Sequence, residues 1–187
     1  MKRLVALLLI LAVLVPAAGS AAYTPALGMT MQEFVDKYNA VQAPLGAPYV
    51  PLAKPVKWTT YEGSPVACFY PLKDFSVLLL LLSNDPLGAR TTDMGLDNVQ
   101  IYINEEKYFV PFISISERCA NVFSSDMFGL DAATYAVGST IRFYYENNLE
   151  ERGLTAYNVL DGDQKYALYF FRSDGYYFSI NPSEVAP

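Results

Sequence analysis

Phe75-Ser-Val-Leu-Leu-Leu-Leu-Leu-Ser83 is the stretch whose reading decides the fold. Six consecutive apolar residues, Val77 to Leu82, leave no polar face, and Asn84-Asp85-Pro86 stops the run. A membrane span needs about 20 such residues, so this one is too short. A brief apolar run bounded by turn residues reads as a strand buried on both faces, or as a strand with one face fully covered by a helix. A buried helix is the rival, because Leu favours helices and β-branched residues are nearly absent here. Pro71 and Pro86 lie far enough apart to admit one. On either reading the stretch is the centre of the core.

Working upstream, Val66-Ala-Cys-Phe-Tyr70 and Val56-Lys-Trp-Thr-Thr-Tyr61 carry strand signals, separated by a turn at Gly63-Ser-Pro65. With the Leu run they predict an antiparallel meander. Pro44, Pro48, Pro51 and Pro55 mark an extended connector before it. Thr30 and Glu33 have capping-box spacing, and Met31, Phe34, Val35 and Tyr38 follow at helical intervals. Ala21 to Leu27 reads as an exposed lead-in to that helix.

Downstream, Asn84 to Asp97 is the longest polar stretch, and a loop of that length is functional or mobile. Val99 to Ile103 and Lys107 to Phe112 then read as a hairpin around Asn104-Glu-Glu106. Ser114-Ile-Ser-Glu117 has a second capping-box spacing and predicts a helix through Cys119, Val122 and Phe123. Asp131 to Ala136 adds a turn or two of helix before Gly138. Four strand signals close the chain: Thr140 to Glu146, Leu154 to Leu160, Tyr166 to Arg172 and Tyr176 to Ile180. Asp161-Gly-Asp163 and Ser173-Asp-Gly175 are hairpin connectors. The expected fold class is α+β, with helices packed on one face of a twisted, mainly antiparallel sheet of about nine strands. A division into two helix-plus-meander halves near Phe112 is the alternative.

The N-terminus addresses the chain for export. Lys2 and Arg3 precede the apolar run Leu4 to Val15, Pro16 breaks it, and small residues follow. Ser20 and Ala22 suit the −3 and −1 positions of a signal-peptidase site, so residues 1–22 are expected to be a signal peptide and 23–187 one exported domain. Cleavage would move the net charge from −6 to −8 by removing Lys2 and Arg3. An acidic chain disfavours nucleic acid and anionic membrane surfaces as partners. No other segment is long enough to span a bilayer after cleavage, and the expected location is periplasmic or secreted. Cys68 and Cys119 would meet an oxidising compartment, where a disulfide is the default. Such a bridge would contribute about 4 kcal/mol in the chain-entropy model. The alternative is two buried thiols too far apart to pair.

Two short stretches resemble known families. Gly28-Met-Thr-x-x-Glu-Phe34 resembles the helix start of small bacterial envelope modules, the BamE-like and β-lactamase-inhibitor-like domains. Val110-Pro-Phe-Ile-Ser-Ile-Ser-Glu117, with the preceding Tyr102-Ile-Asn104, is similar to the strand-to-helix step of copper-amine-oxidase N-terminal-like surface domains. Both resemblances imply a binding or assembly module of the cell envelope, without chemistry of its own.

The chain has no His, which removes the commonest general base and metal ligand and excludes Ser-His-Asp and Cys-His sites within it. No Gly-rich phosphate loop follows a strand. Glu105-Glu106, Glu150-Glu151 and Asp161/Asp163 are the only acid pairs on which a carboxylate-dependent hydrolase could be built, and adjacent acids in turns point to solvent instead. Asp161-Gly-Asp163 lacks the spacing of a Ca²⁺ loop. No cofactor, metal or catalytic residue is therefore expected. The expected function is non-enzymatic binding of an envelope protein or glycan, or inhibition or assembly of an envelope enzyme. Alternation places a set of Tyr on an uncovered sheet face, where they could stack on sugars or anchor a partner. The candidate surface is Tyr145, Tyr157, Tyr169 and Tyr177, with Arg90 and Asp93 in the long loop.

Overall fold

The Leu run forms a strand. In the computed structural model, which describes residues 23–41, 49–85, 90–124, 129–160 and 165–183, Leu78–Leu82 is β3. It pairs antiparallel with β2 (Ser64–Phe69) on one side and β4 (Asn98–Ile103) on the other. β1 (Lys57–Tyr61) completes the first meander. Leu79 and Leu81 are fully buried, each worth about 1.5–3 kcal/mol. Leu78 and Leu80 point to the other face and are only half buried. The run is thus covered fully on one face alone, and the strand alternates although its sequence does not.

Three further strands extend the sheet: β5 (Ala156–Leu160), β6 (Tyr166–Arg172) and β7 (Tyr176–Pro182). The order is β1-β2-β3-β4-β7-β6-β5, every neighbouring pair antiparallel. The α+β class is therefore as expected, with seven described strands instead of about nine. Both meanders join in one open sheet through β4 and β7.

The three described α-helices account for the two missing strands. They are α1 (Met31–Ala40), α2 (Phe109–Phe123) and α3 (Gly129–Glu146). Lys107 to Phe112 is a 3-10 turn (Glu106–Tyr108) running into α2, so the expected hairpin around Asn104 does not form. Pro111 lies in the first turn of α2, where a missing N–H costs nothing. Ser114 is inside that helix instead of capping it. Thr140 to Glu146 is the end of α3. Ala133, Ala136, Val137, Thr140, Ile141 and Tyr144 are buried at helical spacing, and that stripe outweighs the local run of β-formers.

One core holds the buried residues of α1, α2 and α3 together with Ala67, Phe69, Leu79, Leu81, Val99, Ile101, Phe170 and Phe178 of the sheet. α2 packs on β4 and on α3, and α3 packs on β5 and β6. The residues alternating with these, Val66, Cys68 and Leu82, form a separate small cluster with Leu78 and Leu80. The alternation of β2 puts Cys68 on that second face, whereas Cys119 of α2 is sealed in the main core. Both are buried free thiols here, on opposite faces of the sheet, and the expected disulfide is not formed in this structure.

The lead-in is not the exposed segment expected. Leu27 is buried, and it donates to Leu96 O while Leu96 N donates to Met29 O. The buried Asp97 carboxylate accepts from Tyr23 Oη, from Ala26 N at 2.7 Å and from Asn84 N. Burial, then the Asp97 carboxylate, pushes the Tyr23 hydroxyl up to about 12. The expected signal peptide and the Asp161–Asp163 turn lie outside the described residues. No helix of the described residues is long and apolar enough to cross a membrane.

Candidate functional site

The second face of the sheet carries the aromatic set. Register aligns its side chains in rows across β4, β7, β6 and β5. The first row is Tyr102, Tyr177 and Phe171. The second is Gln100, Ser179, Tyr169 and Tyr157. The third opens with Asn98 and Asn181, about 7 Å further along the strands. Rows of this kind follow from the two-residue period, which returns every second side chain to the same face.

The aromatic row is tightly fixed. Phe171 and Tyr177 stack with centroids 4.7 Å apart and planes 2° from parallel. Tyr102 lies 4.7 Å from Tyr177, tilted. Tyr177 Oη donates to Asp174 Oδ1 at 2.6 Å, and burial together with that carboxylate pushes its hydroxyl well above the usual tyrosine range. Gly175 in the same turn passes so close to Ile103 O and the Tyr102 ring that a Cβ there would overlap both. The amide row is linked as well: Asn98 Nδ2 donates to Asn181 Oδ1, and Asn181 Nδ2 donates to Ser179 Oγ at 2.9 Å.

Between the two rows lies a groove of about 460 Å³, lined by Asn98, Gln100, Ser179 and Asn181 with Tyr169 and Phe171. Thr155 and Pro182 complete its described lining. None of these is Lys, Arg, Asp or Glu. The Gln100 amide and the Thr155 hydroxyl have no hydrogen-bond partner among the described residues. Tyr157 extends the wall, its ring 5.3 Å from Tyr169 and partly open to solvent. The volume falls in the range of small-ligand sites. With aromatic walls and an amide floor, the groove can present ring faces and hydrogen-bond donors and acceptors.

Of the expected surface, Tyr157, Tyr169 and Tyr177 come together here. Tyr145 does not. It stands on α3, on the helical side, with its ring 5.4 Å from Tyr144 and 6.1 Å from Phe170. Arg90 and Asp93 are exposed in a loop that packs along the start of α1, where Gln32 N donates to Thr92 O, and neither lines the groove. Sequence reasoning missed Asn98, Gln100, Ser179 and Asn181. Period-two polar positions in β4 and β7 were the available signal, and the register that sets the two strands side by side spans nearly half the chain.

The two described acid pairs, Glu105-Glu106 and Glu150-Glu151, do not line the groove. Glu105 bonds Lys107 at 2.7 Å and Glu150 bonds Arg172 at 2.7 Å. Among the described residues no group of three or more His, Cys, Asp or Glu is arranged to hold a metal ion. No family model matches the chain, nor does any curated protein or solved structure.

Proposed function

We propose that the protein is an exported, non-enzymatic binding module of a bacterial envelope, and that its contact surface is the second face of the sheet. The observation that carries this reading is the groove between the aromatic row and the amide row, formed by β4, β6 and β7 with no charged residue in its described lining. Export rests on the N-terminal signal pattern, and the envelope assignment on the two short resemblances. The module is tested by immobilising the protein and exposing it to envelope extract and culture medium of its source. Retention of one class of molecule, lost on Tyr169→Ala, is the expected result. Equal retention by the variant would remove the face from consideration.

A second reading, an inhibitor or assembly partner of an envelope enzyme, draws on a different feature. Phe75 is 66% exposed at φ 56°, a conformation that costs a non-glycine residue, and it edges an apolar hollow of about 360 Å³ lined also by Leu52, Phe69 and Leu72. An exposed aromatic held in strained backbone suits a protein contact. Co-purification of one stoichiometric protein, lost on Phe75→Ala, would select this reading over the first.

A further inference from the structure

We propose that the groove binds a neutral oligosaccharide. The assignment rests on the reading of this face as the contact surface and names its ligand class. The Tyr169 and Phe171 rings supply flat apolar walls of the kind on which the C–H face of a pyranose packs. The floor supplies what sugar hydroxyls need. Gln100 presents an amide with a donor and an acceptor, neither engaged by a described residue, and Thr155 adds a hydroxyl of the same kind. Asn181, fixed by Asn98 on one side and Ser179 on the other, is pre-organised as a second polar contact.

Other ligand classes fit less well. An acidic glycan or a nucleic acid would find no cation among the described lining residues and would approach a chain of net charge −6. A peptide adding as a strand needs a free edge, whereas β4, β7 and β6 are each paired on both sides. A purely apolar molecule would leave the floor amides without partners.

The test is isothermal titration of the purified protein with maltotetraose, cellotetraose, mannotetraose and the tetramer of N-acetylglucosamine, beside tetragalacturonate as the charged control. Saturable binding of at least one neutral tetrasaccharide is expected, with tetragalacturonate weaker. Gln100→Ala and Tyr169→Ala should each weaken that binding at least tenfold. Gln100→Ala should leave the melting temperature unchanged, since its amide holds nothing in the fold, so it keeps the test valid if Tyr169→Ala unfolds the protein. Absence of binding by every neutral tetrasaccharide overturns the sugar assignment, as does undiminished binding by Gln100→Ala. If sugars fail while retention from the extract is still lost in Tyr169→Ala, the surface stands and only the ligand class falls. If retention too is unaltered, both readings fall together.

Discussion

Arg118 is a charged residue in the core with no carboxylate at ion-pair distance among the described residues. Its Nε and Nη2 donate to Tyr38 O at 3.0 and 2.8 Å, and its guanidinium lies over the Tyr38 and Tyr49 rings. Tyr38 is in the last turn of α1, where carbonyls lack helical partners and the helix end attracts a cation. One side chain of α2 thus closes the end of α1. Arg118→Ala should cost about 2–3 kcal/mol in urea unfolding, since bonds from a charged donor are lost and a buried carbonyl is orphaned. The two thiols make a separate test. Burial pushes the Cys119 thiol far above its usual range, and raises Cys68 as well. Reductant should leave the melting temperature unchanged, and Cys119 should react with iodoacetamide only when the protein is unfolded. A drop in melting temperature on reduction would reinstate the bridge.

Elements add their own effects. α1 starts with a full capping box: Glu33 N donates to Thr30 Oγ1 at 3.1 Å, and Thr30 N donates to Glu33 Oε2 at 2.7 Å. Thr30→Ala should cost about 1 kcal/mol. The Thr30 backbone N–H, then its hydroxyl, holds the Glu33 carboxyl below its usual range. Its contribution is complete above the unfolded carboxyl value and is lost as the pH falls through the lower folded one. Glu33→Gln should therefore melt below the wild type at neutral pH, with the gap narrowing as the pH falls through the carboxyl range. In α3, Gly138 is exposed mid-helix with open space where a Cβ would stand. Gly138→Ala should stabilise by about 0.5–1 kcal/mol in the same unfolding assay. That glycine also shows where local reading failed. Gly138 reads as a terminator and Ile141-Arg-Phe-Tyr-Tyr145 as a strand, yet the Ala133-to-Tyr144 stripe continues through both. By contrast α1, β3, β6 and β7 were legible, because cap spacing, an unbroken apolar run and a Ser-Asp-Gly turn each act over a few residues. Three tyrosines of the second face, Tyr157, Tyr169 and Tyr177, were legible through alternation. The amide floor was not, because it depends on Asn98 meeting Asn181 across two strands far apart in sequence.

At the scale of the whole molecule, the sheet is treated differently on its two faces. One carries the shared core of all three described helices, and the other carries a small aliphatic cluster at β2–β3 beside the aromatic-and-amide groove at β4–β7–β6. Leu81→Ala, on the first face, should cost about 2–5 kcal/mol, read as a shift in the urea midpoint without loss of cooperativity. The topology has a further consequence, in the order in which the chain is made. β7 is the last described strand in sequence, yet it lies between β4 and β6 near the middle of the sheet. A chain that has not yet reached residue 176 has only the pairings β1-β2-β3-β4 and β5-β6, and leaves one edge of β4 and one edge of β6 unpaired. A chain cut short at residue 175 lacks the strand that joins β4 to β6 and should not give the cooperative unfolding transition of the intact sheet. Adding β7 and uniting the two halves of the sheet are therefore a single step, taken by a strand distant in sequence from the β4 it pairs with.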